Sequence, residues 1–203
     1  MYRCALIIAV ILLLSACAGS APVPEDRFYQ LDPVIPETRL SAPVLRGGLE
    51  VDDTHADPLR SGRAVLYSEQ AQPLQLKRYH YAHWVDQPPR LVQRMLLQYL
   101  RDSGIADRVE DAGQRTPAAY RLKTRLLKFE QLRGGASRGV EVALEARLEH
   151  MPEGSVIWTS VYARRQPNRG NDIHATAEAM HTAMVELFQA LQNDLAGIVV
   201  PDR

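Results

Sequence analysis

The residues that could do chemistry in this 203-residue chain are six histidines, the acidic pairs Asp52-Asp53 and Glu110-Asp111, a few serines and two cysteines. A transition-metal site needs three or four ligands converging at about 2.0–2.3 Å on one ion. His80 and His83 are three apart on a segment read as strand or turn, so they do not share a face. His174 and His181 share one face of a helical stretch, but two turns, about 10 Å, separate them. His55 and His150 read as loop residues. No carboxylate or cysteine completes a ligand set, so neither a metal nor another cofactor is expected. The nucleophile-elbow pattern Gly-x-Ser-x-Gly does not occur. Ser137 and Ser155 lie in turn sequences with no base to activate them. Asp52-Asp53 and Glu110-Asp111 read as solvated loop acids. Gly47-Gly48 and Gly134-Gly135 lead into no helix with a following lysine, so neither cradles a phosphate. No enzyme activity is expected from these residues. The side chain with a chemical task is Cys17.

Cys17 ends a secretory pattern. Arg3 supplies the positive start, and Ala5 to Leu14 is an unbroken apolar run of ten residues. That length suits a signal h-region. It is half of the roughly 20 apolar residues a bilayer span needs. The run closes in Leu14-Ser15-Ala16-Cys17, which resembles the lipobox of bacterial lipoproteins. Small side chains let the extended backbone enter a peptidase, and the thiol carries a diacylglyceryl group as a thioether. The competing reading is an ordinary signal peptide, or a short anchor, that happens to contain a cysteine. Cys4 leaves with the signal, so Cys17 would be the sole thiol of the mature chain and no intrachain disulfide can form. Ala18 to Asp26 is small, polar and proline-containing, a tether whose nine residues reach about 30 Å at ~3.3 Å each. Alanine after the cysteine, by resemblance to Gram-negative lipoproteins, favours the outer over the inner membrane. The expected division is therefore residues 1–16 signal, 17–26 lipidated cysteine and tether, and 27–203 a single periplasmic domain.

Lysine plus arginine number 24, as do aspartate plus glutamate. Removing Arg3 with the signal leaves the mature chain at −1. There is no basic field to attract nucleic acid. The length suits one domain with a proper core.

Elements follow from periodicity. Arg27 to Leu31 opens the domain as a short strand. Asp32 to Pro43 holds three prolines and reads as an extended connection. Leu45 to Val51 is a weak strand, with Gly47-Gly48 permitting a bulge or a close approach. Asp52 to Ser61 reads as a polar loop. Arg63 to Tyr67 and Leu74 to Tyr79 form a hairpin across Ser68 to Pro73. Pro88-Pro89 starts a helix, where missing N–H groups cost little. Leu91, Val92, Met95, Leu96, Tyr99 and Leu100 form its apolar face, and Gly104 ends it. A short strand is expected near Arg108. Tyr120 to Leu126 and Val140 to Leu148 alternate apolar and charged residues on either side of an Arg133 to Ser137 turn. Centring that hairpin on Gly135 sets Arg125 opposite Glu145 and Arg121 opposite Glu149. Leu126-Leu127 breaks the alternation, where a bulge would shift the pairing by one. A third strand, Ser155 to Arg164, follows. The last element is a helix capped by Asp172, with an apolar stripe from Ile173 to Ile198. The expected fold is α+β: a largely antiparallel or mixed sheet with two main helices packed on one face.

Tyr79-His80-Tyr81-Ala82-His83-Trp84 is the densest aromatic stretch. One reading has Trp84 and a tyrosine covering the sheet where the first helix begins. The other makes Tyr79, Tyr81 and Trp84 a partner interface, since such residues dominate contact hot spots.

The order of these pieces resembles a known family. A lipobox, Phe28-Tyr29-Gln30-Leu31, Tyr79 to Trp84 leading into Pro89 and its helix, the Tyr120-x-Leu122 strand, the Trp158 strand and a long final helix together resemble the ABC-type transport auxiliary lipoproteins, akin to the lipoprotein of the paraquat-inducible Pqi system. The resemblance implies a non-catalytic periplasmic subunit that accompanies an ABC transporter and an MCE-domain protein in moving lipid between two membranes. It implies docking to the MCE protein, with the membrane held through the lipid anchor, and leaves room for a homo-oligomer. Two other readings are a carrier that binds lipid or glycan between sheet and helices, and a structural lipoprotein of envelope assembly.

Replacing Cys17 with alanine should move the protein from the membrane pellet to the soluble periplasm. Continued pelleting of that variant would refute the anchor.

Overall fold

The computed structural model describes residues 24–114, 117–135, 138–151, 153–170 and 172–198. Cys17, the lipobox and Ser137 lie outside them. Nine strands and two long helices follow in the order β1 (Arg27–Tyr29), β2 (Leu49–Val51), β3 (His55–Ala56), β4 (Ala64–Glu69), β5 (Gln72–Trp84), α1 (Pro88–Ser103), β6 (Val109–Asp111), β7 (Tyr120–Arg133), β8 (Gly139–His150), β9 (Ser155–Pro167) and α2 (Ile173–Ala196). The strands make one mixed sheet. The expected α+β single domain, with two helices on one face of a largely antiparallel sheet, is what the structure shows.

Strand β7 is the hub. One edge pairs antiparallel with β8, and β8 pairs antiparallel with β9. The other edge serves three short parallel strands in turn: β2 at Tyr120–Leu122, β3 at Arg125–Leu126 and β4 at Glu130–Arg133. Beyond β4 come antiparallel β5 and then β1, parallel to the end of β5. Beyond β2 lies parallel β6.

The hairpin register is the expected one. Arg121 stands opposite Glu149 and Arg125 opposite Glu145, with a bulge at Leu127. The bulge switches the buried set from Tyr120, Leu122, Thr124 and Leu126 to Phe129 and Gln131. The β4–β5 turn is tighter than the sequence suggested, because β4 runs on to Glu69 and β5 starts at Gln72. The stretch read as one polar loop contains β3, which puts His55 in a strand. Likewise His150 ends β8, and Glu110-Asp111 lies in β6. Two- and three-residue strands carry no period; a neighbour's edge makes them. Gly47, at φ 87°, holds its Cα where an added Cβ would stand 3.0 Å from Ala119 Cβ, so the close approach is real.

Helix α1 begins on Pro88-Pro89 and ends at Gly104, whose φ of 68° suits glycine. The Asp172 carboxylate caps α2 by accepting from Ala175 N–H at 2.8 Å. Met180, Met184, Leu187, Phe188, Leu191 and Leu195 on α2 are fully buried against Val140, Val142, Leu144 and Leu148 of β8. The helices meet where Tyr99 packs on Phe188, rings 5.4 Å apart, and Tyr99 OH donates to Gln192 Oε1 at 2.6 Å. Burial pushes the Tyr99 hydroxyl pKa up to about 12, so it stays a donor at neutral pH.

Phe188→Ala would empty the centre of this layer. An unfolding free-energy loss of about 3–5 kcal/mol is expected from urea titration. A loss below about 1 kcal/mol would mean the layer is not packed as described.

Candidate functional site

The histidines do not converge. His83, on β5, lies 3.4 Å from Asp26 and packs against Phe28. His150 packs on Tyr120. His174 approaches Glu178 at 3.4 Å. No cluster of three or more potential metal ligands occurs among the described residues. The acidic pairs have structural partners. Glu110 pairs with Arg108 at 3.0 Å. Asp111 accepts from Gly113 N–H and from Gln93 Nε2, which hold its pKa below the usual carboxylate range.

The sheet face turned away from the helices carries the charged residues of the β7–β8 hairpin. The register is as expected, but the ion pairs run differently. Arg121 bonds Glu50 of β2 at 2.5 Å rather than Glu149. Glu149 is held by Lys123 at 2.9 Å and Arg147 at 2.7 Å. Glu141 is held by Lys128 at 2.8 Å and Arg165 at 3.2 Å. Glu130 takes Arg60 at 2.6 Å, and Arg60 also holds Asp57. The three glutamates are buried on a face with no helix over it. The aliphatic stems of the lysines and arginines cover them while the cationic heads reach water. This face is a stiff lattice of paired charges, with Val156 and Val161 exposed beside it.

The aromatic cluster divides. Trp84 is 1% exposed and packs on Phe129 in the core, rings 5.2 Å apart. Tyr79 is half-buried, donates to Gln131 Oε1 at 2.6 Å and lies against Tyr67, with the Arg133 guanidinium over both rings. Tyr81, 43% exposed, presents its ring to solvent. Of the three residues singled out for contact, Tyr81 alone offers a large accessible aromatic surface.

Sequence reasoning missed a groove of about 770 Å³. Phe28 to Asp32, the end of β9 around Gln166 and Arg169, and the first turns of α2 line it. It brings together His174 and His181, which the helical spacing had placed on one face. Its other walls come from opposite ends of the domain's sequence, so no local pattern could signal it.

The described residues form a domain with a filled core, a charged sheet face and a polar groove. The family model of the ABC-type transport auxiliary lipoprotein component matches residues 29–192, and the chain belongs to that family. It is thus a periplasmic, lipid-anchored, outer-membrane-associated auxiliary component of an ABC-type transport system, and not an enzyme. No protein of curated function matches the chain in sequence. Among solved structures, XCC0632 from Xanthomonas campestris is similar in fold, with a TM-score of 0.73 at 19% identity over 82% of this chain and 92% of that one. An uncharacterised protein follows at 0.66 and 12% identity, covering 85% and 99%. The Chlamydia trachomatis protein CT253 reaches 0.51 at 13% identity, covering 75% and 97%. At such identities the likeness is one of fold.

The Glu149 pair has a pH signature. The Lys123 hydrogen bond, with Arg147 nearby, lowers the Glu149 pKa below its ordinary 4.5. Stability from the pair is therefore complete above that value and lost as pH falls through the lower folded-state pKa. Glu149→Gln should destabilise the protein at neutral pH and flatten its stability between about pH 5 and pH 3 relative to the parent. Equal pH slopes for the two proteins in urea titrations would contradict the pairing.

Proposed function

We propose that this protein is the docking subunit of a lipid transport machine. In this reading the diacylglyceryl-modified Cys17 holds it at the outer membrane. Its domain binds the MCE-domain component through which an inner-membrane ABC transporter moves lipid across the periplasm. The observation that carries the docking role is the filled layer between sheet and α2. A carrier needs a cavity there for its cargo. Met180, Met184, Phe188 and Leu191 occupy that space, all with no exposure. The recognition chemistry left to the molecule is on its outside: the ion-paired sheet face, the exposed Tyr81, the groove, and the free edge of β9. The last two suit assembly with other chains, a second copy included. The membership in a transport-auxiliary family supports the reading, as does the −1 charge of the mature chain, which rules out long-range capture of anionic lipid by a basic field.

Affinity purification of the full-length lipoprotein from detergent-solubilised envelopes should retrieve an MCE-domain protein together with an ABC ATPase. Retrieval of peptidoglycan enzymes or pilus subunits in their place would turn the role into one of envelope assembly.

A further inference from the structure

The groove has the geometry of a gap in a curled sheet. Strand β1 ends the sheet on one side, after β5; β9 ends it on the other, after β8. The two ends line the same groove, and α2 forms its floor. Their directions follow from the pairings. β1 is parallel to β5, β5 antiparallel to β4, and β4 parallel to β7. β7 and β9 are each antiparallel to β8. Hence β1 runs antiparallel to β9, as neighbouring strands of a hairpin would, yet they do not pair.

Both edges carry free backbone groups. The Tyr29 carbonyl accepts from Val85 N–H at 2.9 Å, so Tyr29 turns its backbone toward β5. Alternation along a strand then turns the groups of Phe28 and Gln30 toward the gap. β9 has no partner strand on its outer side from Ser155 to Pro167 among the described residues, and within the groove it offers the Pro167 carbonyl, since Gln166 turns its carbonyl toward β8 and Pro167 has no N–H. The floor is small where it meets the gap, with Ala175 and Ala179 among its residues.

The volume fits a strand. A β-strand residue takes about 3.3 Å along the chain, 4.8 Å sideways and 10 Å through the sheet, roughly 160 Å³. The 770 Å³ of the groove thus accommodates about five residues. An anionic headgroup is a poorer match, since Asp32 and Glu178 stand against Arg169 and the histidines.

We propose that this gap receives an extended peptide segment of a partner protein, which adds a strand to the outer edge of β1 beside the end of β9. Recognition is of the β-augmentation kind: main-chain bonds give affinity, and the residue over the alanine floor gives selectivity. It deepens the docking role above but does not depend on the partner being an MCE-domain protein.

The test uses the purified full-length lipoprotein in detergent micelles and a phage-displayed library of random twelve-residue peptides. Selected peptides should be β-branched and proline-free at their centre. Synthesised, they should slow amide exchange at Phe28 and Gln30. Thr182→Trp, an exposed helix position lining the groove, should weaken them at least tenfold while leaving the circular dichroism unchanged. Failure to select peptides, or peptides that bind Thr182→Trp as well as the parent, would overturn the proposal. So would equal protection of those amides by phosphatidylethanolamine vesicles alone, or by raised protein concentration alone, which would point to a headgroup or a second copy. None of these outcomes bears on whether an MCE-domain protein co-purifies, so the two readings fail separately.

Discussion

The pairing of β7 on both edges holds the domain together. A strand of fourteen residues, Tyr120–Arg133, is too long to be matched by one short neighbour. β8 matches it on one side almost end to end. On the other side β2, β3 and β4 share the work, and each arrives parallel, which requires a crossover. The return from β5 to β7 is made through α1, so the helix is placed by the demand for a parallel neighbour. The bulge at Leu127 keeps both halves of the strand turned toward one core. Before it, even-numbered residues face the helices; after it, odd-numbered ones do. Without the extra residue Phe129 would face outward, away from Trp84, and Glu130 would face inward, away from Arg60. A one-residue slip reverses every side chain in a strand. Here the slip is built in once, at the point where the sheet bends.

The polar side of the sheet shows what such a strand does with its other face. A wet antiparallel face would ordinarily leave glutamates exposed. Glu130, Glu141 and Glu149 are buried instead, each under one or two basic side chains. Exposed ion pairs contribute little, about 0–1 kcal/mol. A carboxylate shielded by lysine and arginine stems is different, because losing a partner leaves a charge without water. The native register sets Lys123 opposite Arg147 and Glu130 opposite Glu141, so the neutralising contacts run diagonally and to neighbouring elements: Lys123 to Glu149, Lys128 to Glu141 and Arg60 to Glu130.

How far the chain could be read depended on the distance over which its signals act. α1 was legible from Pro88-Pro89, Gly104 and one apolar stripe, all within its own span. The β7–β8 hairpin was legible to the residue, since alternation, turn and the Leu126-Leu127 break sit in one contiguous stretch. β3 was not, because His55-Ala56 is a strand only by virtue of the edge of β7. Arg121 stands opposite Glu149 as expected, but the ion-pair partner it takes was not legible for the same reason: Glu50 reaches it through β2, seventy-one residues away. Trp84 had two readings, covering the sheet or meeting a partner, because aromatic density says nothing of which side a strand buries; its burial against Phe129 is the first. The groove was the least legible feature. Its walls, Phe28 and Gln166, are joined only by the full circuit of the sheet. The helical spacing of His174 and His181 was visible, but not that a strand edge faced them.

An anchor changes what affinity such a surface needs. If Cys17 carries the lipid, as in the proposed function, a tether of nine residues would keep β1, the first strand of the domain and a wall of the groove, within about 30 Å of the membrane. A partner that reaches the same membrane meets the domain at the high effective concentration of a tethered pair, in the millimolar range for short flexible linkers. Under that condition about five residues of strand pairing, weak for free molecules, suffice to hold a contact, and they leave it readily reversible. A stronger, more apolar interface would gain little in occupancy and would slow release. In the proposed docking role, the polarity of the groove and the shortness of β1 would suffice: the lipid would supply the proximity, and the sheet edge would have only to supply the alignment.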